Sequence, residues 1–250
     1  MGTYVLVGGA WIGAWAWRDV AAQLRSEGPH EVFAVTLTGL AERSHLSAPG
    51  VDLETHVTDV VAALHYTERT DIILVGHSYA GTVVAAAADR APQLVEALVY
   101  VDTAPLPTGL STIDFAPPSA QEAMRAQVGT GWTLPLPPRE DLPGDASDFD
   151  DSMWTRMQRL ATPHPFGSFT QPVTYTGVDH GHRRFGIACR NGQQMLAFAR
   201  SQPDNPMFAD LLSDVWTWFY VDAGHWPMLT RPEELATLLA KGVTSDGSSP

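Results

Sequence analysis

The sequence predicts an α/β fold, with a mostly parallel central sheet, helices on both faces and one inserted segment. Two observations carry this expectation. Short apolar runs alternate with stretches of helical periodicity through the first hundred residues and again after residue 183. That rhythm is the one βαβ units produce when they feed a parallel sheet. Between these regions the rhythm breaks, and residues 105–172 carry dense proline and clustered acids such as Glu140, Asp141, Asp145, Asp148, Asp150 and Asp151.

In chain order, Tyr4–Val7 reads as the first strand and ends at Gly8-Gly9, a turn signal. The Trp- and Ala-rich stretch 14–24 reads as a helix, stopped by Gly28-Pro29, and 32–37 as the second strand. Leu53, Val57, Val60, Val61 and Leu64 recur at helical spacing. A third strand at 72–75 leads into a helix of small residues at 82–89, and a fourth strand follows at 94–101. Within the insertion, 153–160 is the best helical stretch, and Trp132, Trp154, Phe166 and Phe169 read as packing residues. Strands at 183–188 and 215–221 and a helix at 233–239 complete the pattern. The expected division is a core of residues 1–104 and 173–242, a lid of 105–172 covering the C-terminal edge of the sheet, and a flexible tail of 243–250.

Composition narrows the function. Of 250 residues, 44% are hydrophobic and 17% charged, which suits a globular chain rather than a disordered one. The formal charge of −13, with Lys241 the only lysine, argues against nucleic-acid or anionic-membrane partners. No apolar run approaches the ~18 residues a spanning helix needs, and the N-terminus lacks the basic region of a signal peptide. The lone Cys189 cannot form an internal disulfide. The expectation is a soluble cytoplasmic protein acting on a small molecule, with a homodimer left open.

The most informative stretch is Ile72-Ile73-Leu74-Val75-Gly76-His77-Ser78-Tyr79-Ala80-Gly81. An apolar strand meets a sharp turn centred on Ser78, and a helix of small residues follows, the pattern that projects a serine Oγ above a sheet. Gly76 and Ala80 supply the small side chains that let strand and helix backbones approach. A serine nucleophile needs a base. His225, in Val221-Asp222-Ala223-Gly224-His225-Trp226-Pro227, lies just past the last strand, within reach of the sheet edge. His30, His45, His56 and His65 read as surface or helix positions, and His77 as a packing or hydrogen-bonding residue of the turn. Asp179-His180-Gly181-His182 reads as a solvated turn, with metal binding the lesser alternative.

A carboxylate should orient the histidine. In the commonest layout it follows the strand before the histidine strand, but Asn191 stands there. Asp102, at the end of the strand after the nucleophile, is the better candidate. The double glycine does not make a dinucleotide site, because Gly8, Gly9 and Gly13 miss the G-x-G-x-x-G spacing and the second strand ends without an acid. No metal or organic cofactor is implied.

With these residues in place, the chain resembles the α/β-hydrolase superfamily, specifically small bacterial esterases related to plant methylesterases and hydroxynitrile lyases. The resemblance rests on Val5 to Trp15, Val75 to Gly81 and Gly224 to Pro232, in the chain order serine, acid, histidine. It implies an α/β-hydrolase fold and ester hydrolysis, with Ser78 attacking, His225 relaying the proton and Asp102 holding the imidazole. Haloalkane dehalogenases carry their acid at a similar place after the nucleophile strand. The resemblance also implies an oxyanion hole from the backbone N–H groups of Ala10 and Tyr79, although Gly8-Gly9 replaces the usual His-Gly. Trp11, Trp132 and Trp226 are candidate walls for an apolar substrate portion. Cyanide chemistry fits poorly, since Trp226 follows the histidine where those lyases have lysine, and Gly9 stands where they have threonine. A cyclase or other non-hydrolytic enzyme using the same pocket, and a receptor-like homologue, are the alternatives.

Overall fold

The computed structural model describes residues 2–142, 144–205 and 208–243. Of the expected tail, only Val243 lies within the described residues. The first strand, β1 (Thr3–Val7), is buried along its whole length, as a strand covered on both faces must be. The expected helix after it is split. Residues Ala14–Trp17 form a tight 3-10 turn, with Ala16 N–H bonded to the Gly13 carbonyl, and α1 (Arg18–Glu27) begins only afterwards. Such tightening is common where a helix starts. β2 (Glu31–Val35) follows, and then α2 (Leu53–Tyr66), whose start is set by a reciprocal cap between Asp52 and Thr55.

β3 (Ile72–His77) runs into α3 (Ala80–Arg90), and β4 (Val95–Val101) follows. The chain then leaves the sheet. α4 (Pro118–Val128), β5 (Thr133–Leu134), α5 (Asp151–Leu160), β6 (His164–Pro165) and α6 (Gly167–Thr170) come in turn, with β5 and β6 paired antiparallel as a small second sheet. The core resumes with β7 (Arg183–Ala188), α7 (Arg190–Arg200), β8 (Trp216–Tyr220), α8 (Pro227–Thr230) and α9 (Pro232–Thr237). Past α9 the backbone widens into a π-type turn over Leu238–Gly242, so the helix expected through residue 239 keeps its α form only to Thr237.

The six-stranded sheet has the order β2-β1-β3-β4-β7-β8, with every pairing parallel. Alternate residues of each strand feed two cores. Tyr4, Leu6, Ile73, Val75 and Val99 meet α1, α8 and α9 on one face. Val5, Val7, Leu74, Leu98 and Tyr100 meet α2 and α3 on the other. Because all strands run the same way, their C-terminal ends share one edge, where ligands bind in open α/β sheets. The turns after β1, β3, β4, β7 and β8 all gather there.

Candidate active site

Ser78 occupies the turn between β3 and α3 with φ of +52°, a left-handed conformation that a non-glycine residue holds only under constraint. Its N–H bonds to the Val101 carbonyl at 3.2 Å, and its own carbonyl accepts from Gly81 N–H at 2.9 Å. The crossing of strand and helix is close. A Cβ at Gly76 would lie 2.6 Å from the Val84 side chain and 2.8 Å from the Ala80 carbonyl.

The loop after β8 brings His225 over this turn. His225 Nε2 lies 2.8 Å from Ser78 Oγ, and Nδ1 lies 2.6 Å from Asp102 Oδ2. A carboxylate accepts only, so Nδ1 carries the proton and the Nε2 lone pair faces the serine hydroxyl. Two backbone bonds hold the histidine loop: its N–H donates to the Asp145 carbonyl at 2.7 Å, and its carbonyl accepts from His77 Nε2 at 2.7 Å. The His77 ring is fully enclosed, and burial holds its pKa well below 6.5. It is therefore a neutral donor at this position.

Asp102 directly follows β4, with φ of +49°. Its second oxygen, Oδ1, accepts N–H bonds from Cys189 at 3.0 Å and Gly192 at 3.2 Å. These two groups belong to the first turn of α7, so the carboxylate sits at the positive end of that helix. A Cβ at Gly192 would come within 2.5 Å of Oδ1, which explains glycine there. Asn191 belongs to this same turn, and its backbone neighbours serve the carboxylate of Asp102.

The turn after β1 completes the arrangement. A Cβ at Gly9 would lie 2.8 Å from Ser78 Cβ and 2.9 Å from His77 Nδ1, so a side chain such as threonine has no room at this place. Ala10 follows Gly9 and Tyr79 follows Ser78, so both residues flank the contact between the two turns. Trp11 is buried and donates Nε1–H to the Leu134 carbonyl. Trp132 is 45% exposed and bonds Ser47 Oγ. Trp226 is buried edge-on to the His225 ring and packs on Phe149.

A cavity of about 740 Å³ borders Asp102 and His225 and runs down the flank of β4 and β7. Leu98, Leu106, Phe115, Met195, Leu196 and Trp218 make much of its wall, and none of the three singled-out tryptophans lines it. His180 and His182 are half-buried at its rim, with His180 Nε2 3.4 Å from Asp89 Oδ1. Among the described residues, no three His, Cys, Asp or Glu side chains gather as a metal ion would need. No described helix is long and apolar enough to cross a membrane.

Two features escaped the sequence reading. His56, expected at a surface or helix position, is on α2 but wholly buried. Its spacing from Leu53, Val57 and Val60 puts it on the buried stripe, which is the signal that would have found it. Arg190 ion-pairs with Asp145, Asp148 and Asp222, tying the insertion to the histidine loop. Nothing in the spacing of these aspartates shows that they converge.

The chain matches the model of the alpha/beta hydrolase family over residues 4–238. It is 32% identical over 247 residues to a carbendazim hydrolyzing esterase of Nocardioides sp. (strain SG-4G), covering 96% of this chain and 99% of that one. It is 35% identical over 267 residues to methylesterase 3 of Arabidopsis thaliana, covering 94% and 93%. Among solved structures, an extracellular alpha/beta-hydrolase from a Paenibacillus species shares the fold, with a TM-score of 0.78 over 96% of this chain and 98% of that one at 21% identity. The chain therefore belongs to the alpha/beta hydrolase family, among its carboxylic ester hydrolases.

Proposed function

We propose that the protein hydrolyses a carboxylic ester of a small, largely apolar substrate through Ser78, His225 and Asp102. The observation that carries the reading is the unbroken line of hydrogen bonds from Ser78 Oγ through His225 to Asp102. In this reading Ser78 Oγ attacks the ester carbonyl while His225 Nε2 takes its proton. The imidazolium then gives that proton to the departing alkoxide, and the alcohol leaves. Water repeats the sequence on the acyl-serine, with His225 again as base, and the acid is released. Asp102 stabilises the imidazolium throughout, and its bonds from the α7 turn keep it aimed.

The negative oxygen formed at each addition is assigned to the N–H groups of Ala10 and Tyr79, a contribution of ~3 kcal/mol per donor in such sites. The cavity that borders Asp102 and His225 supports an apolar substrate portion, with Leu106, Phe115 and Trp218 in its lining, although Ser78, Ala10 and Tyr79 do not line it. Residues 105–172 serve as the lid, since β5 and β6 reach the turn that holds Trp11. A fluorophosphonate probe tests the nucleophile. It should label wild type and leave Ser78→Ala unlabelled; labelling that survives the substitution, or a folded wild type that is never labelled, would rule the assignment out.

A further inference from the structure

Below the turns that hold the assigned oxyanion donors lies a buried pair of histidines with no part in the proton relay. His56 and His164 are both completely enclosed. Their rings meet edge to face at 5.7 Å, and the Tyr79 ring packs against each of them, at 5.7 Å from His56 and 4.8 Å from His164. Building two imidazoles into an apolar core is costly unless their polar atoms are used. Every ring nitrogen here has a partner.

The partners fix both tautomers. His56 Nε2 lies 2.9 Å from the Thr38 carbonyl, which only accepts, so Nε2 carries the proton. His56 Nδ1 is then a bare acceptor for the Tyr79 hydroxyl at 2.8 Å. Ser168 Oγ gives its proton to the Pro165 carbonyl at 2.8 Å, so it must accept from His164 Nε2, also at 2.8 Å. His164 Nδ1 is left to accept Trp11 N–H at 3.4 Å. Burial holds both histidines below the usual pKa of 6.5, so each keeps its acceptor at neutral pH.

What these acceptors hold is informative. Trp11 adopts φ of +65°, a left-handed conformation that a bulky residue reaches only at a cost of ~1–3 kcal/mol. Three bonds, all to the inserted segment, keep it there. Its N–H goes to His164, its carbonyl accepts from Thr162 N–H at 3.0 Å, and its indole N–H goes to the Leu134 carbonyl at 3.1 Å. Ala10 is thus fixed from both sides, by Gly9 wedged on Ser78 and by Trp11 anchored to β6. Tyr79 is held likewise, through the hydroxyl that His56 accepts.

We infer that His56 and His164 are positioning residues that aim the Tyr79 and Ala10 N–H groups at the oxyanion, through the Tyr79 hydroxyl and the Trp11 backbone respectively. The inference rests on the hydrolytic reading above. It assigns a role in the reaction to two buried side chains that never touch substrate. It also makes the inserted segment part of the oxyanion hole's support as well as a cover.

The test measures kcat and KM for a p-nitrophenyl ester together with inhibition by an aryl trifluoromethyl ketone. Ser78 Oγ adds to the ketone carbon, His225 takes the proton, and the ketone oxygen becomes an oxyanion in the same hole. In Tyr79→Phe and His164→Leu, kcat should fall roughly tenfold to a hundredfold, the scale of a slightly misaimed group. KM should stay within about twofold while Ki for the ketone rises in step with the loss of kcat/KM. His164→Asn, whose Oδ1 can stand where Nδ1 accepts, should recover most of the loss. Wild-type kcat in folded Tyr79→Phe and His164→Leu would overturn the inference, and so would a loss confined to KM. A wild type without Ser78-dependent turnover would overturn it differently, by removing the hydrolysis on which it rests.

Discussion

At the scale of single residues, the site is a set of close approaches that only particular side chains allow. Gly9 admits Ser78, and Gly192 admits the carboxylate of Asp102. Ser78 and Asp102 themselves hold left-handed backbone conformations. The serine and histidine were legible in the sequence because their chemistry demands local patterns, a small-residue turn for one and a strand-end loop for the other. Asp102 was legible from its place at the end of an apolar strand. The burial of His56 could be read from its place on the α2 stripe, but the partners of the buried histidines could not, because hydrogen bonds such as Tyr79 to His56 and Trp11 to His164 join residues far apart in the chain. The assignment of the acid makes a sharp prediction. Asp102→Asn should lower kcat by about four orders of magnitude, by removing the charge and favouring the wrong tautomer. Asn191→Ala should change kcat little, since among the described residues the hydrogen bonds of the relay come from Ser78, Cys189 and Gly192 and not from its side chain. Steady-state kinetics on the two variants checks this, and the reverse ranking would move the acid elsewhere.

At the scale of elements, legibility followed burial. β1, β3 and β4 were readable because they are enclosed on both faces and therefore apolar along nearly all their length. α2 was readable because Leu53, Val57, Val60 and Leu64 form one buried stripe. α4 buries no residue, and α7 buries only Leu196 and Ala199, so neither sends a broad stripe into the core as α2 does. α7 nevertheless has a defined task at its first turn, where two N–H groups meet Asp102. That turn stands where the commonest layout keeps its acid. In this chain it binds a carboxylate supplied by the neighbouring strand, a change visible only once β4 and β7 are known to be adjacent.

At the scale of the molecule, three buried histidines link stability to pH. His56, His77 and His164 all have pKa values pushed below 6.5 by burial. Below pH 6.5 the unfolded chain binds more protons than the native one, so their contribution to stability is full above that pH and is lost as pH falls. Each costs about 1.4 kcal/mol per pH unit until its native pKa is reached. The formal charge of −13 works in the other direction, because acid relieves self-repulsion. The histidine share is therefore best read by difference. Urea unfolding at pH 7.5 and 5.5 should show a larger acid loss in wild type than in His77→Gln, whose amide can still donate to the His225 carbonyl. An equal loss in both would mean that His77 does not stay neutral in the fold.

The central claim is that this chain is a serine-dependent ester hydrolase, and release of p-nitrophenol from short-chain esters by wild type and Ser78→Ala tests it most directly. The account predicts turnover by wild type and its loss, by several orders of magnitude, in a folded Ser78→Ala. Equal rates in the two proteins, or no turnover by a folded wild type, would contradict it.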